Sequence, residues 1–239
     1  MDQNNHYLAQ QSLMSNGQNF ISQAPFSLKY DREHSRNYFL KHRHGFRRRL
    51  TNWREHAMAR KGLRLAGHPQ SILDIPCGAG RFWSLLAADP NRILYAADNS
   101  PHMLETATRF QLPEIVNRFK CFQTSVFHIG LPDASIDNIF CMRLLHHISR
   151  KDDRLAILRE FHRVSRDTVC LSLWVDGNLQ ARRRRKLEQR RRQRTFKNRI
   201  LLAQNTAEQE YLQAGFRISG HFDLAPGISM WRLYVLKKT

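Results

Sequence analysis

Apolar residues change their spacing along this chain in a regular way. Short continuous runs fall near residues 71–75, 92–97, 119–124, 137–142 and 168–174. Between them, apolar positions take helical spacing near 81–88, 101–110, 144–149 and 153–164, the last carrying Leu155, Ile157, Leu158, Phe161 and Val164 on one side. The runs predict buried strands and the spaced segments predict helices. Alternation at this pace predicts an α/β protein with a mostly parallel sheet wound on both faces. Thr206 to Gly215 predicts a last helix, with Thr206 and Gln209 as a capping box and Gly215 as its stop. Phe216–Asp223 and Met230–Lys237 then predict a closing antiparallel hairpin, turned at Pro226 and Gly227. Upstream, Arg32 to Leu65 lacks proline and carries Tyr38, Phe39, Leu40, Phe46, Leu50, Trp53, Ala57 and Met58, which predicts one or two helices. Residues 1–27 are rich in Asn, Gln and Ser and predict a mobile, polar terminus.

Candidate chemistry concentrates in S-I-L-D-I-P-C-G-A-G-R-F, residues 71–82. A strand ending near Asp74, a turn holding Gly78 and Gly80, and a following helix would let a ligand lie against bare backbone, with free N–H groups of the helix start facing the turn. A dinucleotide site wants a third glycine where this chain has Trp83, and a phosphate-binding loop wants G-K-[ST] where it has Gly80, Arg81 and Phe82. A nucleoside cofactor without phosphates fits better. Asp98 ends the second predicted strand, 18 residues beyond Gly80, near the spacing at which an acid reaches ribose hydroxyls. Capping the helix that begins at Ser100 and Pro101 is the competing role for Asp98, and Asn99 or Ser100 would cap equally well.

Four ordered pieces, L-D-I-P-C-G-A-G-R-F (73–82), A-A-D-N-S-P-H-M-L (96–104), L-P-D-A-S-I-D-N-I-F (131–140) and L-L-H-H-I (144–148), resemble the class I S-adenosylmethionine-dependent methyltransferases, in particular the broad small-molecule group that includes the quinone-biosynthesis methyltransferases. The resemblance implies a Rossmann-like, doubly wound seven-stranded sheet with a C-terminal antiparallel hairpin, N-terminal helices folded over the cofactor, and S-adenosyl-L-methionine as the cofactor. It implies that Asp74, Pro76 and the Cys77, Gly78, Ala79, Gly80 turn hold the methionine end, that Asp98 takes the ribose, and that Asn99, Met103, Ser125 and Val126 lie by the adenine. Met142 would line the floor by the methyl donor, and Arg143, His146 and His147 the catalytic, acceptor side, with Tyr38 a further candidate there. Two residues depart from the family pattern. Pro76 stands where the first glycine is common and offers no N–H, and Ser125 stands where an Asp often accepts from the adenine amino group. Such departures also fit a non-catalytic member that only binds cofactor. The chain then divides into the terminus 1–27, a helical cap 28–68, and a methyltransferase domain 69–239 with an Arg-rich insertion at 178–202.

Charge adds a second question. The formal net charge is +19, and Arg182–Arg199 holds 11 basic residues against one acid, Glu188. Like charges recur at i, i+4 there, each pair costing roughly 0.2–0.5 kcal/mol in a helix, so the segment is expected to order poorly alone. An anionic surface, a lipid-linked acceptor, RNA phosphates or plain solvent are the candidate partners. A second basic cluster runs from Lys41 to Arg54. The cysteines Cys77, Cys121, Cys141 and Cys170 are dispersed, and the histidines form no metal-ligand spacing, so no metal site is expected. With no long apolar run and no signal-like start, the expected location is cytoplasmic, peripheral to a membrane at most.

Overall fold

The computed structural model describes residues 46–190 and 199–239. The predicted terminus 1–27, Tyr38 and the first part of the predicted cap lie outside the described residues. Helix α1 (Phe46–Leu65) precedes β1 (Ser71–Asp74), α2 (Trp83–Leu86), β2 (Ile93–Asp98), α3 (Pro101–Phe110), α4 (Pro113–Val116), β3 (Phe119–Gln123) and β4 (Ile136–Cys141). A 3-10 turn (Leu145–His147), α5 (Lys151–Val164), β5 (Ser165–Trp174), α6 (Leu179–Arg190), α7 (Gln204–Gln213), β6 (Phe216–Asp223) and β7 (Trp231–Lys238) complete the order. The seven strands form one sheet in the order β3-β2-β1-β4-β5-β7-β6. β1 to β5 pair in parallel, and β7 runs antiparallel between β5 and β6. Strand order reverses between β1 and β4, which opens a crevice at the carboxyl edge, the usual ligand position in such sheets.

Alternation of side chains along each strand builds two cores. Leu73, Ile139, Val169, Leu171 and Leu236 face α5 and α7 through Ile157, Leu158, Phe161 and Tyr211. Ile72, Leu94, Phe140, Cys170 and Leu233 face the other way, against Met58, Ala59 and Leu63 of α1, Trp83 and Leu86 of α2, and Leu104 of α3. Gly62 lets α1 sit close on β7, because a Cβ there would lie 2.5 Å from a Leu233 methyl. Cys77, Cys141 and Cys170 are buried, and burial pushes all three thiols up.

Several predicted details differ. The helix expected over 81–88 is only Trp83–Leu86, without a side-chain cap, because the preceding residues are spent on the glycine turn. The helix expected over 144–149 is the single 3-10 turn. The proposed capping box of Thr206 and Gln209 is not made: α7 starts earlier, at Gln204, whose N–H donates to Asp176 Oδ1 at 3.0 Å. The short α4, opened by Pro113, was not foreseen. Part of the Arg-rich segment is ordered as α6, whose start is held by Asn178: its Oδ1 accepts from Ala181 N at 3.0 Å. Arg185 pairs with Asp176 at 2.7 Å and Arg184 with Glu188 at 3.0 Å, which offsets the like-charge repulsion.

A buried ion pair fixes the turn that carries His146 and His147. Arg154 of α5 meets Glu210 of α7 through two bonds of 2.8 and 2.6 Å, and its Nη1 donates to the carbonyls of Ile148 and Ser149. Both side chains are almost fully buried. Removing one partner strands the other charge. Glu210→Ala is therefore expected to lower stability by about 3–5 kcal/mol in urea denaturation, whereas the double variant Arg154→Met/Glu210→Leu recovers most of that loss.

Candidate functional site

The glycine turn after β1 is built by main-chain bonds to β2. Cys77 N donates to Ala97 O at 2.9 Å, and Gly78 N to Asp98 Oδ2 at 2.9 Å. Gly78 and Gly80 take φ of +54° and +69°, the left-handed region that glycine enters without strain. At Gly80 a Cβ would also lie 2.8 Å from the Trp83 ring. Trp83 is fully buried and stacks on Phe119 at 4.5 Å between centroids, so the indole occupies the place of the dinucleotide motif's third glycine. The Ile75–Pro76 bond is cis.

Two carboxylates stand at this edge. Asp98, at the end of β2, accepts from Gly78 N and, through Oδ1, from Ser100 N at 2.9 Å. Burial pushes its pKa up to about 6, against the pull of those N–H groups. Each oxygen retains a lone pair for a hydroxyl donor. Asp98 is not the helix cap: Ser100 caps α3, its side chain accepting from Met103 N at 3.4 Å. Asp74, at the end of β1, is buried with Oδ2 lacking a hydrogen-bond partner among the described residues. Burial and then the Asp98 charge push its pKa well up, against the nearby Trp83 indole. A buried pair of acids, one of them raised by the charge of the other, favours a cation nearby.

Next along the edge, β3 ends in a turn. Thr124 N donates to Asp98 O at 3.2 Å, and the Ser125 hydroxyl accepts from Phe127 N at 3.2 Å. Val126 packs against the core. The Asn99 carbonyl accepts from Gln123 Nε2 at 3.0 Å, and Ala79 O from Gln111 Nε2 at 2.8 Å. Met103 is buried on the first turn of α3, and Met142 is buried just past β4.

Beyond β4 the wall becomes aromatic and basic. Trp174 ends β5 and pairs in register with Trp231, the first residue of β7. Their rings meet edge to face at 5.4 Å. The Arg143 guanidinium lies 4.9 Å over Trp231, and those of Arg184 and Arg199 lie 4.8 and 5.6 Å over Trp174. Arg143 itself has φ +65°, held by Ser172, whose hydroxyl accepts its N–H at 2.8 Å. Its side chain donates to Glu55 Oε1 of α1 at 2.6 and 3.2 Å. The other Glu55 oxygen takes Arg81, which also donates to Asn52 at 2.8 Å. Glu55 is 1% exposed, so one buried carboxylate ties α1 to both the glycine turn and the segment after β4.

The match to a family model described as a methyltransferase domain spans residues 73–171, from β1 through most of β5. The chain carries a methyltransferase domain, on the fold of the class I S-adenosylmethionine-dependent enzymes. Its fold is similar to that of magnesium protoporphyrin IX methyltransferase from Synechocystis PCC 6803, solved with SAH bound, at a TM-score of 0.67 and 14% identity over 87% of this chain and 100% of that one. It is also similar to N,N-8-amino-8-demethyl-D-riboflavin dimethyltransferase from Streptomyces davawensis, at 0.58 and 18%, over 73% of this chain and 51% of that one. The methyltransferase domain of bacterial CtHen1-C gives 0.59 and 18%, over 79% and 98%. No curated protein matches the methyltransferase in sequence.

In this methyltransferase Asp74, Pro76, Cys77, Gly78, Ala79, Gly80, Asp98, Asn99, Met142 and Arg143 all stand at the carboxyl edge. His146 is a correction. It is 2% exposed, stacked on Trp174 at 4.7 Å and against His147 at 4.2 Å. Burial, reinforced by His147, Arg199, Arg143 and Arg184, pushes its pKa down to about 2. It is a neutral packing ring rather than a base. His147 is half-buried beside it. Trp53, read from sequence as an apolar helix position, is 66% exposed. Sequence reading missed Glu55 and Arg81. The signal was present: Glu55 is the first acid after the basic run that ends at Arg54.

The two glycines separate strain from clash. Gly78→Ala meets no atom within 4 Å and should lose only the cost of left-handed backbone, about 1–2 kcal/mol. Gly80→Ala adds overpacking against Trp83 and should lose about 1–3 kcal/mol more in urea denaturation.

Proposed function

We propose that the methyltransferase transfers its methyl group to a small anionic or lipid-linked acceptor. The observation that supports the anionic part is the acceptor-side wall itself: Trp174 and Trp231 are covered by the guanidinium groups of Arg143, Arg184 and Arg199, with Glu55 paired to Arg143 and Glu188 to Arg184. His146 supports it from a different direction. A ring whose pKa is near 2 takes no proton at neutral pH, so a nucleophile that already carries its charge suits this wall.

When bound, S-adenosylmethionine would supply a methyl group on a sulfonium, which an acceptor lone pair would take while the carbon–sulfur bonding electrons return to sulfur. The donor is activated by its own charge, so the protein's part is chiefly to position the two reactants. In this reading Asp98 accepts from the ribose hydroxyls, Asp74 faces the ammonium, and the Cys77–Gly80 turn lies against the amino-acid tail. Asn99, Met103, Ser125 and Val126 flank the base, and Met142 the methyl. Ser125 contributes less than an acid would, since its oxygen already serves Phe127 N and carries no charge. Arg143 is a positioning and anion-facing residue, oriented by Glu55 and Ser172.

Asp98 sets a pH dependence with a definite sign. Its folded pKa is raised to about 6, and hydroxyl donors favour the ionised form. Affinity for SAH should be full above that value and fall as pH drops through it, by up to ~tenfold per unit. Asp98→Asn should bind roughly ten- to a hundredfold more weakly at pH 7.5 and lose the pH dependence. Titration calorimetry over pH 5 to 8 reads both; equal binding by the variant overturns the ribose role.

A further inference from the structure

We infer that the outward face of α6, together with Ile228 in the β6–β7 turn, is a docking surface for an anionic lipid bilayer. α6 has two distinct sides. Ala181 is buried, and Arg184 and Glu188 are half-buried, with Arg184 over Trp174; these positions face the protein. The opposite side carries Leu179, Arg182, Arg183, Lys186 and Leu187, which follow the i, i+3, i+4, i+7, i+8 pattern of a single helix face. All five are exposed, Leu179 at 43% and Leu187 at 57%. Arg185 is not part of this set, being paired to Asp176.

The apolar part of the patch extends onto the neighbouring turn. Leu179 N donates to Gly227 O and Gln180 N to Ile228 O, each at 3.0 Å, while Gln180 Oε1 accepts from Met230 N at 3.3 Å. These bonds place Ile228, 56% exposed, beside Leu179. Aliphatic side chains thus flank three basic residues that form no ion pair among the described residues.

The chemistry of the patch selects its partner. Cationic heads attract lipid phosphates, each contributing on the order of 1 kcal/mol near an anionic bilayer. Leucine and isoleucine gain by entering the acyl boundary, as on interfacial amphipathic helices. Single-stranded nucleic acid is held by aromatic platforms that stack on bases, and this face has none. No helix among the described residues is long and apolar enough to cross a membrane, so contact through α6 would be at the surface. The inference deepens the reading of a lipid-carried acceptor and rests on it for its meaning. Its inner side makes the link, because Arg184 covers Trp174 on the acceptor wall while its neighbours Arg182 and Arg183 face out.

The test is co-sedimentation of the full chain, without cofactor, with phosphatidylcholine vesicles with or without phosphatidylglycerol. Binding is expected only with phosphatidylglycerol, and it should weaken as salt rises. Arg182→Gln/Arg183→Gln/Lys186→Gln should weaken it about fivefold per charge, about a hundredfold in all. Leu187→Ser/Ile228→Ser should weaken it severalfold with the charge unchanged. All the replaced side chains are exposed, so the melting temperature of each variant should stay near that of the parent. No binding to anionic vesicles at low salt overturns the inference, as does an undiminished Leu187→Ser/Ile228→Ser variant. Tighter binding to a single-stranded RNA, lost in the triple variant, would also overturn it in favour of nucleic acid. SAH calorimetry on the same preparations reads the cofactor site separately, so a failure of docking and a failure of the methyl-transfer reading are told apart.

Discussion

Two acids held close together inside the protein are the constraint on which the crevice at the carboxyl edge depends. Asp74 and Asp98 end adjacent parallel strands, Asp74 level with Ala96 and Asp98 two residues further on, so both carboxylates stand at the crevice. Burial pushes both pKa values up, and at Asp74 the Asp98 charge adds to it. The glycine turn is the local answer, lending Gly78 N to one carboxylate. In the proposed reading, a positively charged nucleoside is the complementary answer.

Around that constraint the rest of the fold serves as scaffolding. Trp83 plugs the space beneath the turn, which makes glycine obligatory at position 80 by volume as well as by backbone angle. Helix α1 closes one side through a single carboxylate, Glu55, set between Arg81 and Arg143. The opposite side is made by β5 and the antiparallel β7, whose insertion before β6 brings Trp231 level with Trp174. The Arg154–Glu210 pair keeps the turn between β4 and α5 from drifting.

Much of this was legible in the sequence because it is encoded locally. Strands β1 to β5 are short apolar runs, α5 is a clean amphipathic repeat, and the hairpin is announced by Pro226 and Gly227. The ordered pieces around Asp74, Gly80 and Asp98 likewise sit within a few residues of the elements they terminate. What escaped reading depends on partners far away in the chain. Glu55 looks like a surface acid until Arg143, 88 residues on, reaches it. His146 looks like a base until Trp174 and Trp231 enclose it. The start of α7 is set by Asp176 rather than by its own Thr206, since a tertiary acceptor outcompeted the local cap. α6 was read by its charges alone, and the anchoring by Asn178, Asp176 and Trp174 lies outside the charged run.

The four tryptophans fall into separate surroundings, and this gives the protein built-in optical reporters. Trp83 lies fully buried under the glycine turn, Trp174 and Trp231 form one edge-to-face couple beneath guanidinium groups, and Trp53 stands in solvent. Emission from an indole shifts to the red as water reaches it. Light from this molecule therefore arrives in parts from distinct surroundings: one from beneath the glycine turn, one from the basic wall, and one from the outside as an internal standard.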